Sequence, residues 1–213
     1  MTSRNGGSGR GAAGLGSRGV ETGQVFGRRA AVWCAAALAV VMGALVATAA
    51  SAQPAAPQGT GPKIVIETEH GRIVIQTFAD KAPKTVAHIT DLVKKNFYNA
   101  QRIHRIVPGQ AVQWGDKMSR DMTYREWWGR SPGGGSGSTI GVAEFDKTLK
   151  HRAGSVSMAH SGHAANADSQ MFIALRAIPE WDGQYVIFGQ VIEGMDAVRK
   201  LKVTDRLRRV TVE

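Results

Sequence analysis

The chain has 213 residues, a formal net charge of +10 and 43% hydrophobic residues. Its single cysteine, Cys34, excludes an intramolecular disulfide framework. Outside the first 52 residues no run of Lys or Arg exceeds three, so the basic charge does not indicate a specific nucleic-acid-binding protein.

The N-terminal region reads as an export segment. Residues 1–29 hold nine of the 26 glycines, five arginines and one acid, a composition that cannot bury enough apolar surface to offset chain entropy. Residues 30–50 form a charge-free apolar run of 21 residues that follows two arginines and leads into Ala50-Ser51-Ala52. This A-x-A pattern is typical of signal-peptidase sites.

Two interpretations of the apolar run remain open. It is long enough to span a bilayer as an uncleaved anchor in the inner membrane. However, ten of its 21 residues are alanine, which gives weak insertion energy and favours a removed signal peptide. We therefore expect residues 1–52 to be a disordered basic segment plus a signal peptide. Residues 53–62 form a Pro/Gly linker, and the protein is exported to the periplasm or cell envelope.

Cleavage after Ala52 leaves 161 residues, the size of one domain, with a net charge lowered from +10 to +6. Its first part alternates apolar and polar residues over 63–78 around His70-Gly71, which predicts a β-hairpin. A helix of about twelve residues then begins near Pro83, with apolar residues at helical spacing. Those residues are Val86, Ile89, Leu92 and Val93.

Short strands dominate the remainder of the domain. We predict strands over 102–107, 110–115, 154–159, 170–175, 185–191 and 206–213, a helix over 194–201, and a long irregular region over 116–140. Many short strands with two helices favour a mainly β fold, a closed antiparallel barrel that leaves no exposed sheet edge.

The stretch 158–173, MAHSGHAANADSQMFI, contains His160 and His163 three residues apart. This spacing has a metal-site interpretation, but no predicted helix holds the pair and no third ligand stands at a convincing distance. We predict no metal and no cofactor.

Three stretches together resemble the cyclophilin-type peptidyl-prolyl cis-trans isomerases: IHRIVPGQAVQWGD (103–116), GSVSMAHSGHAANADSQMFIAL (154–175) and WDGQYVIFGQVIEGMDAV (181–198). The resemblance covers roughly residues 63–213. It implies an eight-stranded antiparallel barrel capped by two α-helices, isomerase activity on X-Pro bonds, and proline-containing polypeptides as partners. We expect a monomer that contacts a membrane only if residues 30–50 stay uncleaved.

The chemistry of X-Pro isomerisation explains why residues of these types would be needed. Rotation about an X-Pro bond breaks amide resonance, at a barrier of roughly 20 kcal/mol, and needs no nucleophile, metal or cofactor. The site must bind the twisted amide better than either planar form. The resemblance implies that the catalytic residues are Arg105, Gln113 and Phe172, and that the substrate-binding residues are Gln110, Ala111, Ala159, His160, Gln170, Trp181 and Tyr185.

Arg105 alone also has a simpler interpretation, a surface side chain lying over a sheet. The sequence departs from many family members at Gln110 and Ala111, where large apolar residues are usual, and at His160, where Asn is usual. These departures leave an alternative function open: a catalytically weak module of the same fold that binds proline-containing segments.

Overall fold

The computed structural model describes residues 59–130 and 133–213. The predicted basic segment with its signal peptide or anchor, and residues 53–58 of the predicted linker, lie outside the described residues. Within the described part of the chain, no helix is both long and apolar enough to cross a bilayer.

Eight strands and two α-helices make up the described domain. The strands are β1 Lys63–Thr68, β2 Gly71–Thr77, β3 Arg105–Val107, β4 Ala111–Trp114, β5 Ser155–Met158, β6 Met171–Ala174, β7 Ile187–Glu193 and β8 Arg209–Val212. The α-helices are α1 Pro83–Lys94 and α2 Met195–Lys200. Four 3-10 helices, which the sequence pattern did not predict, are Lys117–Arg120, Met122–Trp127, Ala164–Asn166 and Pro179–Trp181.

All eight strands belong to one curled antiparallel sheet with the order β3-β4-β6-β5-β7-β2-β1-β8. The mainly β fold with eight antiparallel strands is therefore confirmed. The two end strands, β3 and β8, do not pair with each other. The residues that precede them make two contacts: an isolated β-bridge joins Arg102 to Arg206, and the Ala100 amide donates to the Leu207 carbonyl at 2.8 Å. Closure into a complete barrel stays a prediction.

Most strands are shorter than the sequence pattern predicted, whereas β7 has the predicted seven residues and begins two residues later. Strand β3 begins at Arg105, three residues later than expected, and Ile103 lies before it as a fully buried core residue. The predicted hairpin forms as β1 and β2, in which Ile64 pairs with Ile75 and Ile66 with Ile73. These four side chains lie in the main core, because alternate residues of a strand point to the same face.

Helix α1 has the predicted length and buried face, with Val86, Ile89, Leu92 and Val93 all buried. Its N-cap residue, Ala82, offers no side-chain hydrogen bond. Glu144 supplies the cap instead: its carboxylate accepts from the Lys84 amide at 3.0 Å and from the Thr85 amide at 2.8 Å. A carboxylate at a helix N-terminus accepts hydrogen bonds from the free N–H groups and interacts favourably with the positive end of the helix dipole. Glu144 therefore stabilises the N-terminus of α1.

We expect Glu144→Ala to lower the free energy of unfolding by about 1–2 kcal/mol, the range for loss of a helix cap. Urea unfolding followed by circular dichroism measures it. Glu126→Ala, at an exposed position, is the matched control and should change stability by less than about 0.5 kcal/mol. Equal losses in the two variants would contradict a capping role for Glu144.

Candidate functional site

A row of four residues crosses one end of the sheet. Arg105 on β3 pairs with Gln113 on β4, Gln113 pairs with Phe172 on β6, and Phe172 pairs with Ser157 on β5. Residues directly opposite in an antiparallel sheet share a face, so the four side chains lie side by side. The register therefore places a cation, an amide and an aromatic ring next to one another.

A hydrogen-bonded series of side chains runs along this row. The Arg105 guanidinium Nη1 donates to Gln113 Oε1 at 3.3 Å, and Gln113 Nε2 donates to Gln170 Oε1 at 3.0 Å. Arg105 itself is exposed, whereas Gln113 and Gln170 are half-buried. The two amides thus orient a solvent-facing guanidinium.

Phe172 is buried and lies at the centre of an aromatic cluster. The centroid of its ring is 5.1 Å from that of Trp181 and 5.3 Å from that of Tyr185, both edge-on, and Trp181 and Tyr185 are 5.6 Å apart. Edge-to-face pairs at these separations are favourable arrangements of aromatic rings. Three residues from two distant segments therefore form one apolar wall.

A hydrogen-bonded group of His151, Asp182 and Ser157 packs against Phe172. The His151 ring stacks on the Phe172 ring with centroids 6.1 Å apart; its Nδ1 lies 2.9 Å from Asp182 Oδ1 and its Nε2 lies 3.0 Å from Ser157 Oγ. Burial lowers the pKa of His151, although Asp182 opposes the shift. The order Ser-His-Asp is that of a hydrolytic triad, but Ser157 is fully buried and its hydroxyl cannot reach a peptide carbonyl.

Beside the row lies a cleft with a volume of about 220 Å³. Ala159 and His160 line it together with Gly129 and Gly135 of the long 116–140 region. His160 Nε2 lies 2.9 Å from the Gln184 carbonyl oxygen, and its ring packs on Tyr185 with centroids 4.9 Å apart. His160 is thus a half-buried wall residue that joins two segments of the rim.

The group of described residues that could hold a metal ion lies elsewhere. It consists of Glu69, His70 and Asp205, at the β1–β2 turn and before β8. His160 and His163 do not take part in it. The prediction that the cleft works without a metal stays a prediction.

Two carboxylates hold the long region against the sheet. Asp116 is fully buried, and its two oxygens accept hydrogen bonds from the Met118 amide at 2.8 Å and the Gly129 amide at 2.5 Å. A Cβ on Gly134 would collide with this carboxylate, and one on Gly135 would collide with the carboxylate of Asp168. The glycine run thus lets the backbone pass over two acids.

Asp168 joins the cleft to helix α1. Its carboxylate accepts from the Gly137 amide at 3.1 Å and from the Ser136 hydroxyl, and it lies 3.5 Å from His88 Nε2. Burial opposes its ionisation, but these hydrogen bonds outweigh burial and lower the pKa of the Asp168 carboxyl. The acid is therefore ionised at neutral pH.

The ten predicted site residues fall into three sets. Five line the cleft: Arg105, Gln113, Ala159, His160 and Gln170. Three form the aromatic wall: Phe172, Trp181 and Tyr185. The remaining two lie beside the row: Ala111 precedes Gln113 by two residues on β4, and Gln110 lies in the preceding turn, where its carbonyl accepts from the Leu175 amide at 2.6 Å.

Sequence reasoning missed the residues that support these side chains. Nothing in a run such as LKHRAGSVS pairs His151 with Asp182, which is 31 positions away. Asp168 and Gly135 were likewise not identified. The run SPGGGSGST (131–139) could have indicated Gly135, since consecutive glycines are typical of backbone that approaches another group closely.

The site can bind an extended peptide and favour one electronic form of its backbone. An apolar wall suits a pyrrolidine ring, and an oriented guanidinium offers permanently charged donors beside it. Among the described residues that line this cleft, no serine hydroxyl is hydrogen-bonded to a histidine. The fold and site together define a peptide-binding cleft on an eight-stranded sheet, suited to conformational rather than bond-breaking catalysis.

The comparisons with known proteins agree with this assignment. The family model described as "Cyclophilin type peptidyl-prolyl cis-trans isomerase/CLD" matches residues 63–212. A probable peptidyl-prolyl cis-trans isomerase of Brucella abortus is 37% identical over 174 residues, covering 82% of this chain and 85% of the relative. A peptidyl-prolyl cis-trans isomerase of Helicobacter pylori is 31% identical over 147 residues, covering 68% and 83%.

Solved structures show the same fold. A cyclophilin-type peptidyl-prolyl cis-trans isomerase of Cryptosporidium parvum superposes with a TM-score of 0.61 at 23% identity, covering 71% of this chain and 97% of that one. A crystal structure of the same enzyme in the presence of the dipeptide Ala-Pro gives a TM-score of 0.61 at 24% identity, covering 71% and 98%. The chain belongs to the cyclophilin-type peptidyl-prolyl cis-trans isomerase family, and the prediction of this isomerase activity is confirmed.

His104, next to Arg105, is a half-buried base that lies against the cleft residue Gly129. Both ring nitrogens are buried without a hydrogen-bond partner among the described residues. Burial lowers the pKa of His104 from 6.5 to about 4; Asp116 opposes this shift and Arg105 reinforces it. The imidazole is therefore neutral in the folded protein at every pH above about 5.

The lowered pKa of His104 predicts a loss of stability in mild acid. Between about pH 6.5 and pH 4 the unfolded chain binds a proton that the folded chain does not, so the free energy of unfolding falls as the pH falls. The contribution of His104 is fully present above pH 6.5 and declines by on the order of 3 kcal/mol towards pH 4.

Urea unfolding at pH 7.5 and pH 4.5 tests this effect. His104→Gln should lose less stability between the two pH values than the wild type does, because it removes the titrating group. His163→Gln, at an exposed histidine, should keep the wild-type difference. If the His104 variant and the wild type lose equal stability, His104 does not titrate as described.

Proposed function

We propose that this chain isomerises X-Pro bonds in exported polypeptides and thereby assists their folding, with Arg105 as the electrostatic catalyst. The observation that carries the assignment of roles is the series Arg105–Gln113–Gln170 beside the buried Phe172 ring. Trp181 and Tyr185 extend that ring into a wall that suits a proline side chain.

The mechanism follows from what a twisted amide requires. When the X-Pro bond rotates, the nitrogen lone pair leaves conjugation with the carbonyl and becomes a hydrogen-bond acceptor. A guanidinium always carries its charge and presents fixed donors, so Arg105 favours this form over either planar amide. Because Gln113 and Gln170 already orient Arg105 in the free protein, little reorganisation is needed when the bond twists.

The polar cleft wall supports the role of substrate binding. Ala159 and His160 line the cleft together with Gly129 and Gly135 of the long region, and an extended peptide can lie along these residues. Gln110 and Ala111 stand where many family members carry large apolar residues, and this makes the wall smaller and more polar. The same departures would suit a binding module with weak catalysis, so the two functions need an experiment that separates rate from affinity.

Export is the second element of the proposal. The order of two arginines, an alanine-rich apolar run and Ala50-Ser51-Ala52 supports a cleaved signal peptide and a periplasmic or envelope location. We propose that the mature protein is monomeric, begins at Gln53 and does not contact the membrane. An inner-membrane anchor formed by residues 30–50 is the competing form.

Arg105→Ala should lower kcat/KM by about 100-fold, the scale observed when one preorganised electrostatic donor is removed. Affinity for an Ala-Pro peptide should change far less, since the interaction exists mainly in the transition state. Arg105→Lys should restore little activity, because an ammonium lacks the planar fork. Exchange NMR on an X-Pro peptide gives the isomerisation rate and the affinity in one sample.

Arg209→Ala, at an exposed position on β8, is the matched control and should leave both quantities unchanged. If Arg105→Ala keeps the wild-type exchange rate, the proposed catalytic role is wrong. If the wild type itself accelerates no exchange and the mutation weakens binding alone, the chain is a binding module.

N-terminal sequencing and intact mass of the protein from its native envelope test the export proposal. The expected product begins at Gln53 and is recovered without detergent. Sedimentation of that product should give the mass of one chain. Recovery of a full-length species that requires detergent would establish the anchor instead.

A further inference from the structure

Three large apolar side chains face solvent on one short segment of the long region. Met122, Tyr124 and Trp127, which we call the apolar patch, are 45%, 49% and 59% exposed. They all lie on the 3-10 helix Met122–Trp127, in which no residue is buried. Scattered single apolar residues on a surface need no explanation, whereas three within six residues indicate a surface that binds something.

The segment that carries the patch is firmly attached. Its start is held by Arg120, whose Nε donates to the Asn99 carbonyl at 3.0 Å and whose Cζ lies 5.8 Å from the centre of the Phe97 ring. Its end is held by the buried Trp128, whose indole N–H donates to the Asp121 carbonyl at 3.1 Å. The exposed side chains are therefore presented by anchored backbone rather than by a frayed loop.

The patch adjoins the substrate cleft. Gly129, which follows Trp128, lines the cleft together with Arg105 and Gln113. It approaches His104 so closely that a Cβ on it would lie 2.9 Å from the imidazole Cδ2. Trp127 precedes Gly129 by two residues, so their Cα atoms are at most about 7 Å apart. The patch and the cleft wall are consecutive parts of one surface.

This continuity determines what can occupy the patch. A polypeptide whose X-Pro bond lies in the cleft is extended at about 3.3 Å per residue, so residues two to five positions from the proline lie roughly 7–17 Å from it and extend past the edge of the cleft. A substrate bound in the cleft can therefore place an apolar side chain near the patch without a further partner. A segment of the substrate is thus the ligand that the cleft itself delivers to the patch.

We propose that the apolar patch is an extended subsite that binds a large apolar or aromatic side chain of the substrate, two to five residues from the proline. This proposal rests on the proposed function, since the cleft must hold the X-Pro bond. It makes the isomerase selective for proline sites flanked by apolar residues. Such sites are more accessible in unfolded chains, because folded proteins bury most of their large apolar side chains.

Three synthetic peptides with a central Ala-Pro test the proposal. One has phenylalanine three residues before the proline, one has it three residues after, and one has alanine at both positions. For the wild type, one phenylalanine peptide should bind roughly 2- to 10-fold more tightly than the alanine peptide, the range for one aromatic contact. For Trp127→Ala this affinity ratio should fall to near one.

Ile192→Ala is the control, because Ile192 is a large apolar residue with 50% exposure on β7, outside the cleft lining. It should keep the wild-type ratio. An unchanged ratio in Trp127→Ala, or equal binding of all three peptides by the wild type, overturns the subsite. Dimerisation of the wild type that Trp127→Ala abolishes, seen by sedimentation velocity, also overturns it, since the occupant would be a second copy.

The same NMR samples separate this proposal from the isomerase activity. Acceleration of exchange in the alanine peptide reports the activity, whereas the ratio of affinities reports the patch. A wild type that accelerates no exchange but still prefers a phenylalanine peptide would contradict catalysis and retain the subsite. Acceleration with no preference would retain catalysis and remove the subsite.

Discussion

The antiparallel register of β3, β4, β6 and β5 is the constraint on which the site depends. It places Arg105, Gln113, Phe172 and Ser157 directly opposite one another. A slip by one residue would turn each strand's side chains to the other face and separate the cation from the aromatic ring. The hydrophobic core holds the register, because the same strands bury Val112 and Ile173 on their opposite face.

The functional face is supported by the buried side chains of His151 and Ser157 and by the partly exposed carboxylate of Asp182. His151 links Ser157 to Asp182 beneath Phe172, so three strictly placed hydrogen-bonding groups fix the ring that forms the wall. Removing one member would leave its buried hydrogen-bonding partner unsatisfied, which costs about 1–3 kcal/mol of stability. The arrangement is therefore sensitive to any single substitution. The rigidity suits a catalyst whose task is to prefer one backbone geometry.

Two carboxylates bind the backbone of the long region between β4 and β5: Asp116, which is buried, and Asp168, which is half-buried. Asp116 accepts from the backbone amide of Met118 and from that of Gly129, which lies 13 positions after Asp116 in the chain, and so closes the segment into a compact unit. Asp168 does the same for the glycine-rich part. Because charge and backbone hydrogen bonds supply the attachment, the side chains of Met122–Trp127 are left available at the edge of the cleft.

The sequence by itself determined the elements that depend on local periodicity. The hairpin, helix α1 with its buried face, and the succession of short strands all follow from apolar residues that repeat at two or at 3.6 positions. The family motifs around Arg105 and Phe172 indicated the reaction, since they are contiguous in the chain. Only the tertiary structure decided the interactions that join distant segments: Glu144 capping α1, Asp182 holding His151, and Asp116 bracing the long region. No local pattern encodes such pairs, because each depends on where the curled sheet brings two remote segments together.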